Sequence, residues 1–249
     1  MTIPDTRPLG PPQHAPLFAW LAQEAERVLG PIPADALIRQ AVQRYGRERG
    51  GRMAQRAEAL GLPLDWTVYQ ALGEWSAPGY PHEAMTLQHT PQWQRIVTVC
   101  PWNDAWREEG LQRYGRLYCR DIDRALVQGF SPDMEYSVSR TLPAGQPCCE
   151  FVAIGYALSD QEIERLAALR ERIGASAVMP WEYHLGHLYW TLRREFEAHT
   201  GAAGTAIASR ALILFEKRYG SELADSVRRH ESTDFTVASG VTVNYILKG

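Results

Sequence analysis

Residues 100–151 read CPWNDAWREEGLQRYGRLYCRDIDRALVQGFSPDMEYSVSRTLPAGQPCCEF, and this stretch decides the fold. Between residues 103 and 128 the apolar positions Leu111, Tyr114, Tyr118, Ile122, Ala125 and Leu126 fall on one helical face, and Gly129 follows as a stop. The spacing predicts one long central helix. Beyond it, 134–141 and 149–156 alternate or run apolar on either side of LPAGQP, which predicts a β-hairpin. Before it, 83–89 and 93–100 flank Thr90-Pro91 and predict a first hairpin. Two hairpins joined by a helix and covered by further helices describe an α+β domain on an antiparallel sheet.

Outward from this centre the chain is helical. Residues 17–29, 33–48 and 51–60 have helical spacing, with breaks expected at Gly30-Pro31, at Gly50-Gly51 and at Gly61 with Pro63; 65–75 adds a short helix. The proline-rich first sixteen residues read as an arm that orders only by docking. Helices are expected at 160–173, 181–199 and 203–228, and the β-prone tail TDFTVASGVTVNYILKG is expected at a sheet edge or a neighbouring subunit. A boundary near residue 80 divides a helical extension, 1–80, from the α+β domain, 81–249.

Composition limits the function. A chain of 249 residues with 45% hydrophobic content buries a core without disulfides or a structural metal. A net charge of −3 and no basic run argue against a nucleic-acid partner. No apolar stretch approaches membrane-spanning length, and the N-terminus lacks a signal-peptide pattern, so a cytoplasmic protein is expected. Four cysteines at irregular spacing match neither a disulfide framework nor a zinc motif, so free thiols are expected, with no metal or cofactor. No phosphate-binding glycine loop, GxSxG elbow or SxxK pair is present.

The reactive residue types concentrate near the centre. Cys119 and Asp123, four apart on the expected central helix, share a face at the border of its apolar stripe. A thiol beside a carboxylate needs a third, positive partner to ionise. The competing reading is a packed core cysteine beside a solvated aspartate. Cys148 and Cys149 point to opposite faces of their strand, so only one can look toward Cys119; Cys149 shares its side with Phe151. Cys100 precedes the expected helix start, where a thiolate would gain from the helix end or simply pack. His184 and His187, three apart, can face one site, or can be packed imidazoles with satisfied hydrogen bonds.

The order CPW, YC-x3-D, GF-x-P, LPAG and C-[DE]-F, followed by HLGHLYW, resembles the L-2-amino-thiazoline-4-carboxylic acid hydrolase family over roughly residues 84–225. The resemblance implies a bacterial hydrolase that opens a 2-aminothiazoline ring to N-carbamoyl-cysteine, or a related cyclic amidine or amide, by acting on a C–N bond. Residue by residue it implies Cys119, Asp123, Cys149 and His187 as the catalytic set. Cys119 would attack as the nucleophile or hold a metal-bound water, His187 would shuttle the proton and Asp123 would orient that histidine or the substrate's amidine nitrogens, with Arg140 and His184 binding the substrate. A small molecule is the expected partner, and a homo-oligomer is left open. Two further readings stand beside it. One is a non-catalytic small-molecule binder on the same scaffold, favoured by eight tryptophans and eleven tyrosines. The other is a ring-forming biosynthetic enzyme.

Overall fold

A computed structural model of the protein describes residues 7–238. Helix α1 (Pro11–Leu29) begins inside the stretch expected to be an arm. Pro11 and Pro12 occupy the first helical positions, where no amide donor is needed, and Gly10 N donates to the Gln13 side chain at 2.9 Å. Pro16, inside the helix, cannot donate to the Pro12 carbonyl; the Tyr219 hydroxyl donates to it instead. Residues 10–22 are buried throughout.

Helix α2 (Pro31–Ala59) runs unbroken across Gly50 and Gly51, where the sequence predicts an interruption. Gly50 serves packing. A Cβ on Gly50 would collide with the backbone of Leu126 and Phe130, and one on Gly129 with the backbone of Arg47. The absent side chains let α2 lie directly against the helix that ends at Phe130.

The expected central helix is three helices: α4 (Pro101–Glu108), α5 (Gln112–Cys119) and α6 (Ile122–Phe130). Gly110, at φ +67°, closes the first break. At the second, the buried Asp121 carboxylate accepts from Arg39, Gln43 and Arg120 at 2.8 to 3.2 Å, which anchors the turn between α5 and α6 to α2. Cys119 therefore ends one helix and Asp123 opens the next.

The remaining helices are α3 (Trp66–Ala71), α7 (Asp160–Ile173), α8 (Trp181–Thr200), α9 (Ala202–Tyr219) and α10 (Ser221–Arg228). The expected 203–228 helix is divided by Gly220 at φ +93°. Of the β-prone tail, 233–238 forms turns that bury Phe235, and 239–249 lies outside the described residues. Among the described residues no helix is long and apolar enough to cross a membrane.

The strands β1 (Glu83–Gln88), β2 (Trp93–Val99), β3 (Glu135–Arg140) and β4 (Cys149–Ile154) form one antiparallel sheet in the order β1-β2-β4-β3. The two expected hairpins are present and join through their second strands, completing the α+β architecture. Register pairs Trp93 with Ala153, Arg95 with Phe151 and Val97 with Cys149, so these residues share the inner face. Two apolar clusters support this frame. One packs α1 and the first half of α2 against α4, α5 and α8–α10; the other packs the end of α2, α3 and α6 and α7 beneath the sheet. Helices on both sides of residue 80 contribute to each.

Candidate active site

A cavity of about 310 Å³ lies between the inner face of the sheet and helices α2, α3, α5 and α6. Strand alternation turns Trp93, Arg95 and Val97 of β2, Tyr136 of β3, and Cys149 and Phe151 of β4 into it. Cys119 enters from the end of α5, Asp123 from the first turn of α6, Cys100 from the N-cap of α4 and Arg49 from α2. The break between α5 and α6 aims Cys119 and Asp123 into one space, as a single helix was expected to do.

Asp123 makes no hydrogen bond or ion pair among the described residues and faces the cavity. Burial raises its carboxyl pKa to about 6, with Arg49 pulling the other way. The thiols surround it. Burial, then Cys100, Asp123 and Cys149, push the Cys119 thiol well above its ordinary range. Cys149 is pushed up to about 12, chiefly by burial, although Leu142 N donates to its Sγ at 3.3 Å. Cys100 is also pushed up by burial. Among the acids of this cavity the carboxyl is the one that changes protonation near neutral pH, and the thiols hold their protons; His82, also on the lining, has its pKa lowered by burial and then by Arg95.

Cys148 does not line the cavity, so of the adjacent pair it is Cys149 that faces Cys119. His184, His187 and Arg140 are not among the lining residues either. His187 is fully buried between α8 and α2: its Nε2–H donates to Glu48 at 2.8 Å, Arg52 donates to its Nδ1 at 3.3 Å, and Phe235 stacks on it at 4.6 Å. Burial, then Arg52, hold its pKa well below the usual histidine range. The His184 Nε2–H donates to the Glu74 carbonyl at 3.1 Å, and its ring stands edge-on to Trp75. His184 lies behind Trp75, which with Trp102 and Tyr118 forms an aromatic wall of the cavity, and His187 lies against Tyr45, which packs in turn on Tyr118. His14, in the segment expected to be an arm, is buried against the same wall; it accepts from Trp102 Nε1 at 3.1 Å and donates to the Tyr45 hydroxyl. Arg140 falls after a register shift in β3, which pairs it with Glu150 and turns it to the outer face of the sheet, 3.5 Å from that carboxylate.

Arg49 was not singled out in the sequence. It belongs to a row of arginines on one side of α2, with Arg52 and Arg56, that meets the fully buried Glu74. The available signal was the spacing of three arginines three and four apart on a glycine-containing helix. Trp75, against which Arg49 lies, stacks in turn on Trp102 at 4.6 Å. Among the described residues no group of three or more His, Cys, Asp or Glu side chains is arranged to hold a metal ion.

A family model described as L-2-amino-thiazoline-4-carboxylic acid hydrolase matches residues 13–152, more than half of the chain. No curated protein and no solved structure matches. The matched segment runs from α1 into β4. It holds Arg49, Cys100, Cys119, Asp123 and Cys149, and ends before the helix that carries His184 and His187.

Proposed function

The chain belongs to the L-2-amino-thiazoline-4-carboxylic acid hydrolase family, and on that premise we propose that its cavity opens the ring of a 2-aminothiazoline carboxylate, or a closely related cyclic amidine, with Asp123 as the acid–base group. The observation that carries this reading is the placement of Asp123. It is a carboxyl without a hydrogen-bond partner among the described residues, set in a largely apolar cavity, with a pKa raised to about 6. A general acid–base group works best when its pKa lies near the working pH.

Formation of N-carbamoyl-cysteine fixes the balance of the reaction. One water adds to the ring carbon that bears two nitrogens and the sulfur. Asp123 takes a proton from that water and passes it to the ring nitrogen. The tetrahedral carbon then carries a hydroxyl, two nitrogens and the sulfur. As the carbonyl forms, the carbon–sulfur bond breaks, and the hydroxyl proton travels through Asp123 to the departing sulfur. Both nitrogens stay on the carbonyl carbon, so scission falls on C–S where the sequence reading placed it on C–N. The Asp123 carboxylate also favours the positive charge that an amidine gathers on protonation.

Water serves as the nucleophile in this scheme. A thiolate at Cys119 would have to form where burial and three neighbouring acidic groups oppose it. Cys119 and Cys149 act as neutral thiols that shape the cavity beside the reacting carbon. The proton shuttle assigned to His187 passes to Asp123, because both nitrogens of that imidazole are already engaged with Glu48 and Arg52.

The test is incubation of the purified protein with 2-amino-thiazoline-4-carboxylate, following free thiol with a chromogenic thiol reagent and identifying the product by mass spectrometry. The reading expects one thiol released per N-carbamoyl-cysteine formed. Consumption without thiol release would assign cleavage to carbon–nitrogen, and no turnover would remove the hydrolase reading.

A further inference from the structure

Arg49 is 5% exposed and lines the cavity, yet among the described residues its charge is not matched by an ion pair at hydrogen-bonding distance. The nearest carboxylate is Glu74, whose Oε2 is 3.7 Å from Arg49 Nε. Glu74 is already engaged. Arg52 donates to it twice, at 3.0 and 2.7 Å, and Arg56 once, at 2.7 Å. Arg49 Nε is left buried without an acceptor. Three buried guanidinium groups thus share one carboxylate, and the one at the cavity makes the longest contact with it, without a hydrogen bond. The other acid in its reach, Asp123, makes no hydrogen bond to it. A buried cation in this position is costly unless an anion arrives.

The geometry around Arg49 restricts that anion. The Trp75 ring lies against the guanidinium, its centroid 3.5 Å from Cζ, so one flat side is closed and an anion has to pair with the in-plane N–H groups. An in-plane edge pairs with a planar carboxylate through two parallel bonds. The cavity therefore holds one buried cation, on α2, and one buried acid, on α6, a complement to a zwitterion that carries a carboxylate and a protonated amidine.

We propose that Arg49 is the residue that recognises the substrate carboxylate and so sets the preference of the site for carboxylate-bearing rings. This rests on the hydrolase reading for the identity of the ring, and on the cavity alone for the carboxylate. Arg95 also lines the cavity but is half-buried, where water can meet its charge. It is the internal control.

The experiment is equilibrium binding, read by quenching of the cavity tryptophans, of 2-amino-thiazoline-4-carboxylate and of 2-aminothiazoline, which lacks the carboxylate. The wild-type protein is expected to bind the first at least about thirtyfold more tightly, a preference of the size one charge-assisted contact supplies. Arg49→Gln is expected to reduce that preference to within about threefold while leaving the affinity for 2-aminothiazoline unchanged, and Arg95→Gln is expected to preserve it. Should the glutamine variant fail to fold, Arg49→Lys is expected to weaken the carboxylate ligand about tenfold and to leave the other unaffected. A full preference in Arg49→Gln, its loss in Arg95→Gln, or unchanged affinities in Arg49→Lys would overturn the assignment. Because binding is read without turnover, an Arg49-dependent preference in a protein that hydrolyses neither compound would keep this proposal and remove the hydrolase reading. Turnover with the preference intact in Arg49→Gln would do the reverse.

Discussion

Replacing Asp123 by Asn removes the one cavity acid whose protonation changes near neutral pH, and the structure gives the size of the consequence for stability. The carboxyl is shifted from 3.8 to about 6 by burial. Each pKa unit corresponds to about 1.36 kcal/mol, so ionised Asp123 costs the folded state up to about 3 kcal/mol. The sign follows from which state holds the proton. Between 3.8 and 6 the unfolded chain is ionised while the folded one is protonated, so stability falls as pH rises through this window, and the whole penalty is present above it. Solvent reaching the carboxyl through the cavity makes about 3 kcal/mol an upper bound. Asn keeps the shape and carries no charge. Urea denaturation of the two proteins at pH 8 is expected to show the variant more stable by about 1–3 kcal/mol, equivalent to several degrees in melting temperature for a chain of this size. The two curves are expected to converge as the pH falls through 6 and to meet near 4. A variant less stable than wild type at pH 8, or a gap that does not change with pH, would refute the argument. The same substitution is expected to lower kcat by at least about a thousandfold, so stability and activity move in opposite directions.

Cys119→Ser is expected to keep kcat within about tenfold of wild type in the thiol-release assay; a loss of several orders of magnitude would return Cys119 to the nucleophile role. His187→Gln disturbs the contacts to Glu48 and Arg52 and is expected to cost about 1–3 kcal/mol in chemical denaturation. Its activity per folded molecule should stay within severalfold, whereas a selective collapse of kcat in a stable variant would place the imidazole in the reaction. Gly50→Ala drives a methyl into the backbone of α6 and is expected to lose at least about 2 kcal/mol, also by denaturation; an unaffected midpoint would show that α2 and α6 have room to separate. Arg140→Gln, on the outer face of the sheet, is expected to leave KM for the carboxylate substrate unchanged, and a large rise in KM would place Arg140 at the substrate.

The parts of this architecture written in local patterns were legible before the structure. Both hairpins follow from two-residue alternation around Thr90-Pro91 and LPAGQP, and their strands fall within a residue or two of the expected bounds. The central helix misled because Leu111, Tyr114, Tyr118 and Ile122 keep a helical phase across both breaks. One break is a left-handed glycine, Gly110, and the other is anchored by contacts from Asp121 to α2 that no local spacing encodes. Gly50 carried the opposite error, since a local helix breaker and a site of close helix packing look alike in sequence. Within the cavity, Cys119, Asp123 and Cys149 could be named because a thiol or carboxylate at the edge of an apolar stripe is conspicuous. Arg49 could not. An arginine on a helix reads as solvated until Glu74, distant in the chain, is seen to draw the whole row inward. The two histidines could be paired by spacing, but only the tertiary structure shows that neither lines the cavity.

The central claim is that an ionised Asp123, and not a thiolate, drives ring opening. The pH dependence of kcat/KM for thiol release from 2-amino-thiazoline-4-carboxylate tests it most directly. The expected profile is a plateau above neutrality with an acid limb falling about tenfold per pH unit below about 6, the range in which Asp123 takes up its proton. A rate that is negligible at neutral pH and climbs only in strongly alkaline solution, as the Cys119 and Cys149 thiols ionise, would contradict it.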